Sequence, residues 1–231
     1  VGLNVRRFRL NPACCRRGAT GRVGLVCRER CTAPGPVRSN VMRWTVHGER
    51  PIYDSEWIRL VLTDVEIPAV GDHAARRFEH HVVRSRGPAA GAVIVDSVIP
   101  TVGGDEPVAC VLLLWRHRFI TDTWGWEIPG GGVDAGESSI DGACREALEE
   151  SGWRVGGDAG TVEHLVDYFP MNGLGDNRFD LFLARGAVHE GDPSDPSESE
   201  RVDWVPVTEL RDHIAAGKVQ DGLSLSALLW C

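Results

Sequence analysis

Apolar positions along this chain fall mostly in short runs of strand length. Val108-Ala109-Cys110-Val111-Leu112-Leu113-Leu114-Trp115 is unbroken, the pattern of a strand buried on both faces. Residues 90–99 form a second such run. Residues 57–62 and 79–83 read as strands bounded by Pro68, Gly71 and Gly87-Pro88. More strands are expected at 161–168, 178–184 and 201–205. A helical period takes over after residue 138, where Ile140, Ala143, Ala147 and Leu148 form an apolar stripe. Ser138 or Ser139 can cap that helix and Gly152 can stop it. Amphipathic stretches at 208–216 and 223–229 predict two closing helices. Strands and helices mixed in this order predict an α/β sandwich.

Residues 1–41 have a different texture. They are rich in Arg, Gly, Pro and Cys, and they lack the apolar content that offsets the entropy of ordering a chain. We expect a disordered basic extension there, with the folded part starting near Met42. Four of the seven cysteines (Cys14, Cys15, Cys27 and Cys31) lie in this stretch. Their spacing contains no C-x-x-C pair, which argues for reduced thiols rather than a zinc site.

Charge sharpens the division. Residues 1–41 carry nine arginines against the single acid Glu29, so the total of −8 places about −16 on the remainder. A body that acidic is a poor binder of nucleic acid. It accommodates small phosphorylated molecules if cations mediate the contact. No apolar run approaches the roughly 18–20 residues that span a bilayer, so the expectation is a cytoplasmic protein without a membrane partner.

The chemistry concentrates in residues 131–153, GGVDAGESSIDGACREALEESGW. Glu146, Glu149 and Glu150 are spaced by three and four, which puts them on neighbouring points of one helical face. Such crowded carboxylates repel one another unless cations lie between them, and all-oxygen donors suit Mg2+ or Mn2+. The glycines before the helix allow close backbone approach. A solvated acidic face would explain REALEE taken alone. It does not explain the GGGVDAGE that precedes it at matched spacing.

The segment resembles the box of the Nudix hydrolase family, G-x5-E-x7-R-E-U-x-E-E-x-G-U with U a bulky aliphatic. Gly131, Glu137, Arg145, Glu146, Glu149, Glu150 and Gly152 match it, while Ala147 and Trp153 depart mildly where larger aliphatics are usual. The resemblance implies an α/β/α sandwich with a mixed β-sheet. It implies Mg2+ (or Mn2+) held by Glu146, Glu149, Glu150 and the carbonyl of Gly130, with Glu149 also counted as catalytic. Arg145 would orient the carboxylates.

Beyond the box, LLLWRHRF at 112–119 and WGWEIPGG at 124–131 are similar to the ADP-ribose and nucleotide-sugar pyrophosphatase branch. That branch implies a small N-terminal antiparallel sheet over 42–86, a hydrolase domain over 87–231, and a homodimer. It makes Arg118, Trp126 and Glu127 candidate substrate contacts. It also makes a loop acid, Glu198 or Glu200, the candidate base, and 171–177 (MNGLGDN) a candidate lid. The expected reaction is hydrolysis of the pyrophosphate bond of ADP-ribose or a related nucleoside diphosphate sugar. Nucleoside triphosphates, dinucleotides, or a regulator that binds ADP-ribose without turnover remain open.

Overall fold

The computed structural model describes residues 43–98, 106–194 and 198–230. The basic extension over 1–41 and its four cysteines lie outside the described residues.

Three strands come first: β1 (Thr45–Asp54), β2 (Ile58–Ile67) and β3 (Arg76–Ser85), paired antiparallel in the order β1-β2-β3. They are the small sheet expected over 42–86. β2 follows the period of two, with Val61, Thr63 and Val65 buried and their neighbours more exposed. β1 is exposed along its whole length. A parallel bridge between Val83 and Gly175, with Arg84 and the backbone of Ser85 bonded to Asp176, fastens β3 to the 171–176 loop.

The second sheet holds seven strands. Its spine runs β12 (Arg201–Pro206), β5 (Val108–Arg118), β4 (Ala89–Val98), β10 (Phe179–Arg185), β9 (Thr161–Tyr168). β6 (Thr123–Glu127) folds back on β5, and β7 (Gly130–Gly132) pairs with β4. The β4–β10 pair is parallel and the other pairings are antiparallel, so the sheet is mixed. Strand alternation divides its side chains between two cores. Val93, Val111, Leu113, Leu181 and Leu183 face one way, against α2 (Leu210–Ala215) and α3 (Gly222–Trp230). Ala92, Ile94, Leu112, Phe182 and Ala184 face the other, against Ala143 and Ala147 of α1 (Ser139–Ser151). The result is the α/β/α sandwich. A two-stranded ribbon, β8 (Trp153–Arg154) with β11 (Val188–His189), follows α1. No helix among the described residues is long and apolar enough to cross a membrane.

Sequence and structure agree on the limits of α1. The Ser138 side chain accepts from the Asp141 N–H, and Gly152 ends the helix at φ 73°, its N–H bonded to the Leu148 carbonyl. A β-carbon on Gly152 would come within 1.9 Å of the Gly191 carbonyl oxygen. Replacement therefore adds a clash with backbone to the left-handed strain. Gly152→Ala should destabilise the fold by more than ~1 kcal/mol, measured as a lower urea midpoint at unchanged slope. An unchanged midpoint would mean that the 186–194 segment yields freely.

Candidate active site

The site grows from the C-terminal half of α1, from β7 and from the end of β5. Gly131 lies so close to the helix that a β-carbon there would sit 2.6 Å from the Glu146 carboxyl. A side chain there would displace that carboxylate.

Arg145 binds most of the box together. Its guanidinium donates to Glu137 at 3.1 and 3.0 Å, to Glu146 at 2.8 Å, to Glu149 at 2.9 Å and to the Gly132 carbonyl at 2.8 Å. The bond from Arg145 holds the Glu137 carboxyl below the usual range. In return the same bond, joined by those to Glu146 and Glu149, pushes the Arg145 pKa well above its ordinary value.

Glu146 and Glu150 behave in the opposite way to Glu137. Burial raises the Glu146 pKa despite the neighbouring Arg145, and the charges of Glu149 and Glu198 add to the rise. Glu150 has only 4% of its side chain exposed. Burial pushes its pKa up to about 7, against the pull of Arg116 and of the Gly130 N–H, and contact with Glu198 adds to the shift. Both oxygens of Glu150 are engaged, Oε1 by Arg116 at 2.7 Å and Oε2 by the Gly130 N–H at 2.8 Å.

Arg116 escaped the sequence reading. It is 6% exposed and also donates to Glu198 at 3.3 Å. The signal was present: Leu112, Leu114 and Arg116 share one strand parity, and Leu112 packs on the α1 side of the sheet. A charge on that parity must meet α1.

The two candidate loop acids part company. The Glu198 carboxylate touches Glu150 and Arg116. Glu200 is exposed and is fixed through its backbone, its N–H donating to the Trp115 carbonyl at 2.9 Å.

Arg118 and Glu127 come together as a bidentate pair, with Arg118 Nε 3.0 Å and 3.1 Å from the two carboxylate oxygens. Half of the Arg118 side chain is exposed while Glu127 is buried. Both line a cleft of about 550 Å³ with Thr121, Thr123, Met171 and Gln220. Met171 opens the segment expected as a lid. The bond to Glu127 raises the Arg118 pKa, with smaller contributions from the charges of Asp221 and Glu150. Trp126 corrects an expectation. It is 4% exposed, packed edge-on to Trp115 with the Arg201 guanidinium 4.7 Å over its ring, and belongs to the core rather than to the cleft surface.

The NUDIX domain family matches residues 86–224, spanning the box, the strands that carry it and the cleft. The chain belongs to the Nudix family. It is 36% identical over 188 residues to a CMP-5'-(N-acetyl-N-hydroxy-3-aminopropyl)phosphonate hydrolase of Streptomyces rubellomurinus, covering 81% of this chain and 82% of that protein. It is 26% identical over 147 residues to an ADP-ribose pyrophosphatase of Mycobacterium tuberculosis, covering 60% of this chain and 69% of the relative. In three dimensions it is similar to the crystal structure of an ADP compounds hydrolase, with TM-score 0.61 over 81% of this chain and 91% of that one, at 18% identity. The Nudix assignment makes the protein a hydrolase of nucleoside diphosphate derivatives.

Among the described residues, no three His, Cys, Asp or Glu side chains form a ready metal cage. In this Nudix site Arg145 and Arg116 engage the carboxylate oxygens instead. The donors nevertheless fit a hard dication. They are all oxygen, and burial raises the pKa of two of them, Glu146 and Glu150, a shift that an added positive charge reverses.

The raised carboxyls set a pH dependence. A folded-state pKa above the unfolded 4.5 makes the contribution of Glu150 to stability fullest below pH 4.5 and lost as pH rises through about 7. Glu49, Asp64, Glu79, Glu137, Asp158 and Asp176 are depressed and act oppositely, but only at pH values below the ordinary carboxylate range near 4. In EDTA, the Tm should therefore fall between pH 5 and pH 8. Millimolar Mg2+ should abolish most of that fall, and a Tm that stays flat in EDTA would contradict the burial argument.

Proposed function

We propose that this Nudix hydrolase cleaves the anhydride between a nucleoside 5'-monophosphate and a second phosphorus oxyacid, either a phosphonate or a sugar phosphate. Water adds across the P–O–P linkage, releasing the nucleoside monophosphate and the second acid. The observation that carries the reading is the convergence of Glu146, Glu149, Glu150 and Glu198 on Arg145 and Arg116, the latter lying two residues along β5 from the Arg118 of the cleft. Both relatives, a CMP-phosphonate hydrolase and an ADP-ribose pyrophosphatase, are named for molecules with this linkage. The greater identity to the first favours a cytidine phosphonate over the ADP-ribose expected from sequence.

Glu146, Glu149, Glu150 and the Gly130 carbonyl would hold Mg2+ or Mn2+. When bound, such a cation would neutralise charge on the phosphoryl oxygens and lower the pKa of water. The protein's own groups divide the remaining work. Arg145 fixes the rotamers of Glu146 and Glu149. Arg118, made rigid by Glu127, meets a substrate oxyanion through its exposed edge. Glu198 accepts the proton of the attacking water; its contacts with Glu150 and Arg116 support that role over Glu200. We also infer a homodimer built on the N-terminal sheet, where Trp44, Val46, Ile52, Tyr53 and Trp57 are all 48% exposed or more. Sedimentation at micromolar concentration should give twice the chain mass, and a monomer would reject that inference.

The deciding assay measures release of CMP or AMP, with Mg2+, from a CMP-linked phosphonate, CDP-linked sugars and alcohols, ADP-ribose, nucleoside triphosphates and dinucleotides. Turnover on a member of the first three classes supports the reading, and the base preference separates the two relatives' chemistries. Glu150→Gln should lower kcat by about 10²-fold or more, the scale of an electrostatic catalytic group. Tight ADP-ribose binding without turnover would point to a regulator.

A further inference from the structure

A guanidinium withdrawn from water is costly unless carboxylates surround it. Arg116 meets that condition by joining three distant parts of the chain. It sits near the end of β5, donates to Glu150 on α1 at 2.7 Å, and reaches Glu198 at 3.3 Å. The partners lie 34 and 82 residues away. Glu198 is 45% exposed, so without a fixed partner its side chain would sample solvent rotamers.

Backbone contacts bring the surrounding loop to the helix without aiming this carboxylate. Ser194 N–H bonds to the Glu149 carbonyl at 2.9 Å, Ser199 Oγ to the Glu150 carbonyl at 3.5 Å, and Glu200 N–H to the Trp115 carbonyl at 2.9 Å. The planar fork of arginine can serve two carboxylates at once, whereas the compact ammonium of lysine is a point charge without that geometry.

We propose that Arg116 is a positioning residue that fastens the Glu198 carboxylate against α1 and thereby sets the geometry of the proton acceptor. The catalytic part rests on the reading of Glu198 as the base. The structural part does not. For the order of the 198–202 segment Arg116 and Glu198 form one device, so removing either loosens it as much as removing both.

The test compares the full-length wild type, Arg116→Lys, Glu198→Gln and the double variant by amide hydrogen exchange and by steady-state kinetics. Arg116→Lys retains a positive charge beside Glu150, which protects the fold. Exchange at residues 198–202 should rise about tenfold in each single variant and no further in the double, while exchange in α1 stays unchanged. With the substrate identified by the panel, kcat should fall at least ~10-fold in Arg116→Lys, with KM unchanged. Exchange at 198–202 within twofold of wild type in both singles, or effects that multiply in the double, would overturn the proposal. So would a loss confined to KM. Should the wild type turn over nothing, the proposed function fails, and the exchange data still decide whether Arg116 holds Glu198.

Discussion

Glu137, Glu146, Glu149 and Glu150 are gathered on one helix and the turn before it, and their mutual repulsion is the constraint around which the site is built. Arg145 answers it locally, bonding three of the four and the Gly132 carbonyl. Arg116 answers it from the sheet, reaching the one glutamate that Arg145 does not. Two guanidiniums do not balance four carboxylates, and Glu198 adds a fifth. Burial then resolves the excess by holding Glu146 and Glu150 toward protonation. A helix so charged is stable only because its opposite side buries Ala143 and Ala147 against the sheet. The small size of those residues lets the helix lie close to β4.

That closeness explains the glycine-rich turn. β7 runs between β4 and the acidic face of α1, with Gly130 paired to Gly91 and Gly131 pressed against Glu146. A side chain at Gly131 would push the carboxylate away from the groups it must join. The same strand supplies the Gly130 N–H to Glu150, so backbone pairing in the sheet helps to fix that buried carboxylate directly. The β5–β6 hairpin has a parallel role in the cleft. Its pairing of Leu114 with Glu127 and of Arg118 with Thr123 sets Glu127 and Arg118 at opposite ends of the ladder, and the long arginine side chain reaches back along the hairpin to the carboxylate.

The N-terminal sheet joins this centre through a few polar contacts. Asp176 receives Arg84 and the Ser85 backbone, and the segment that carries it also places Met171 on the cleft wall. Any shift of that sheet is therefore felt at the cleft.

What the sequence by itself determined is local. The carboxylates of α1 share a face because of helical spacing, Ser138 and Gly152 bound that helix, and the apolar runs are strands because alternation and length specify them. The hairpin strand β6 and the short ribbons β7, β8 and β11 were not legible, since three glycines, two-residue pairings and a Gly-interrupted TWGWE carry no period. Tertiary structure alone decided that Arg116 meets Glu150 and Glu198, that Glu198 rather than Glu200 turns to the helix, and that Trp126 is interior. Each of these depends on strand register and on the packing of a helix against a sheet. Such contacts join residues tens of positions apart, and no local pattern encodes which partner burial will force upon a charge.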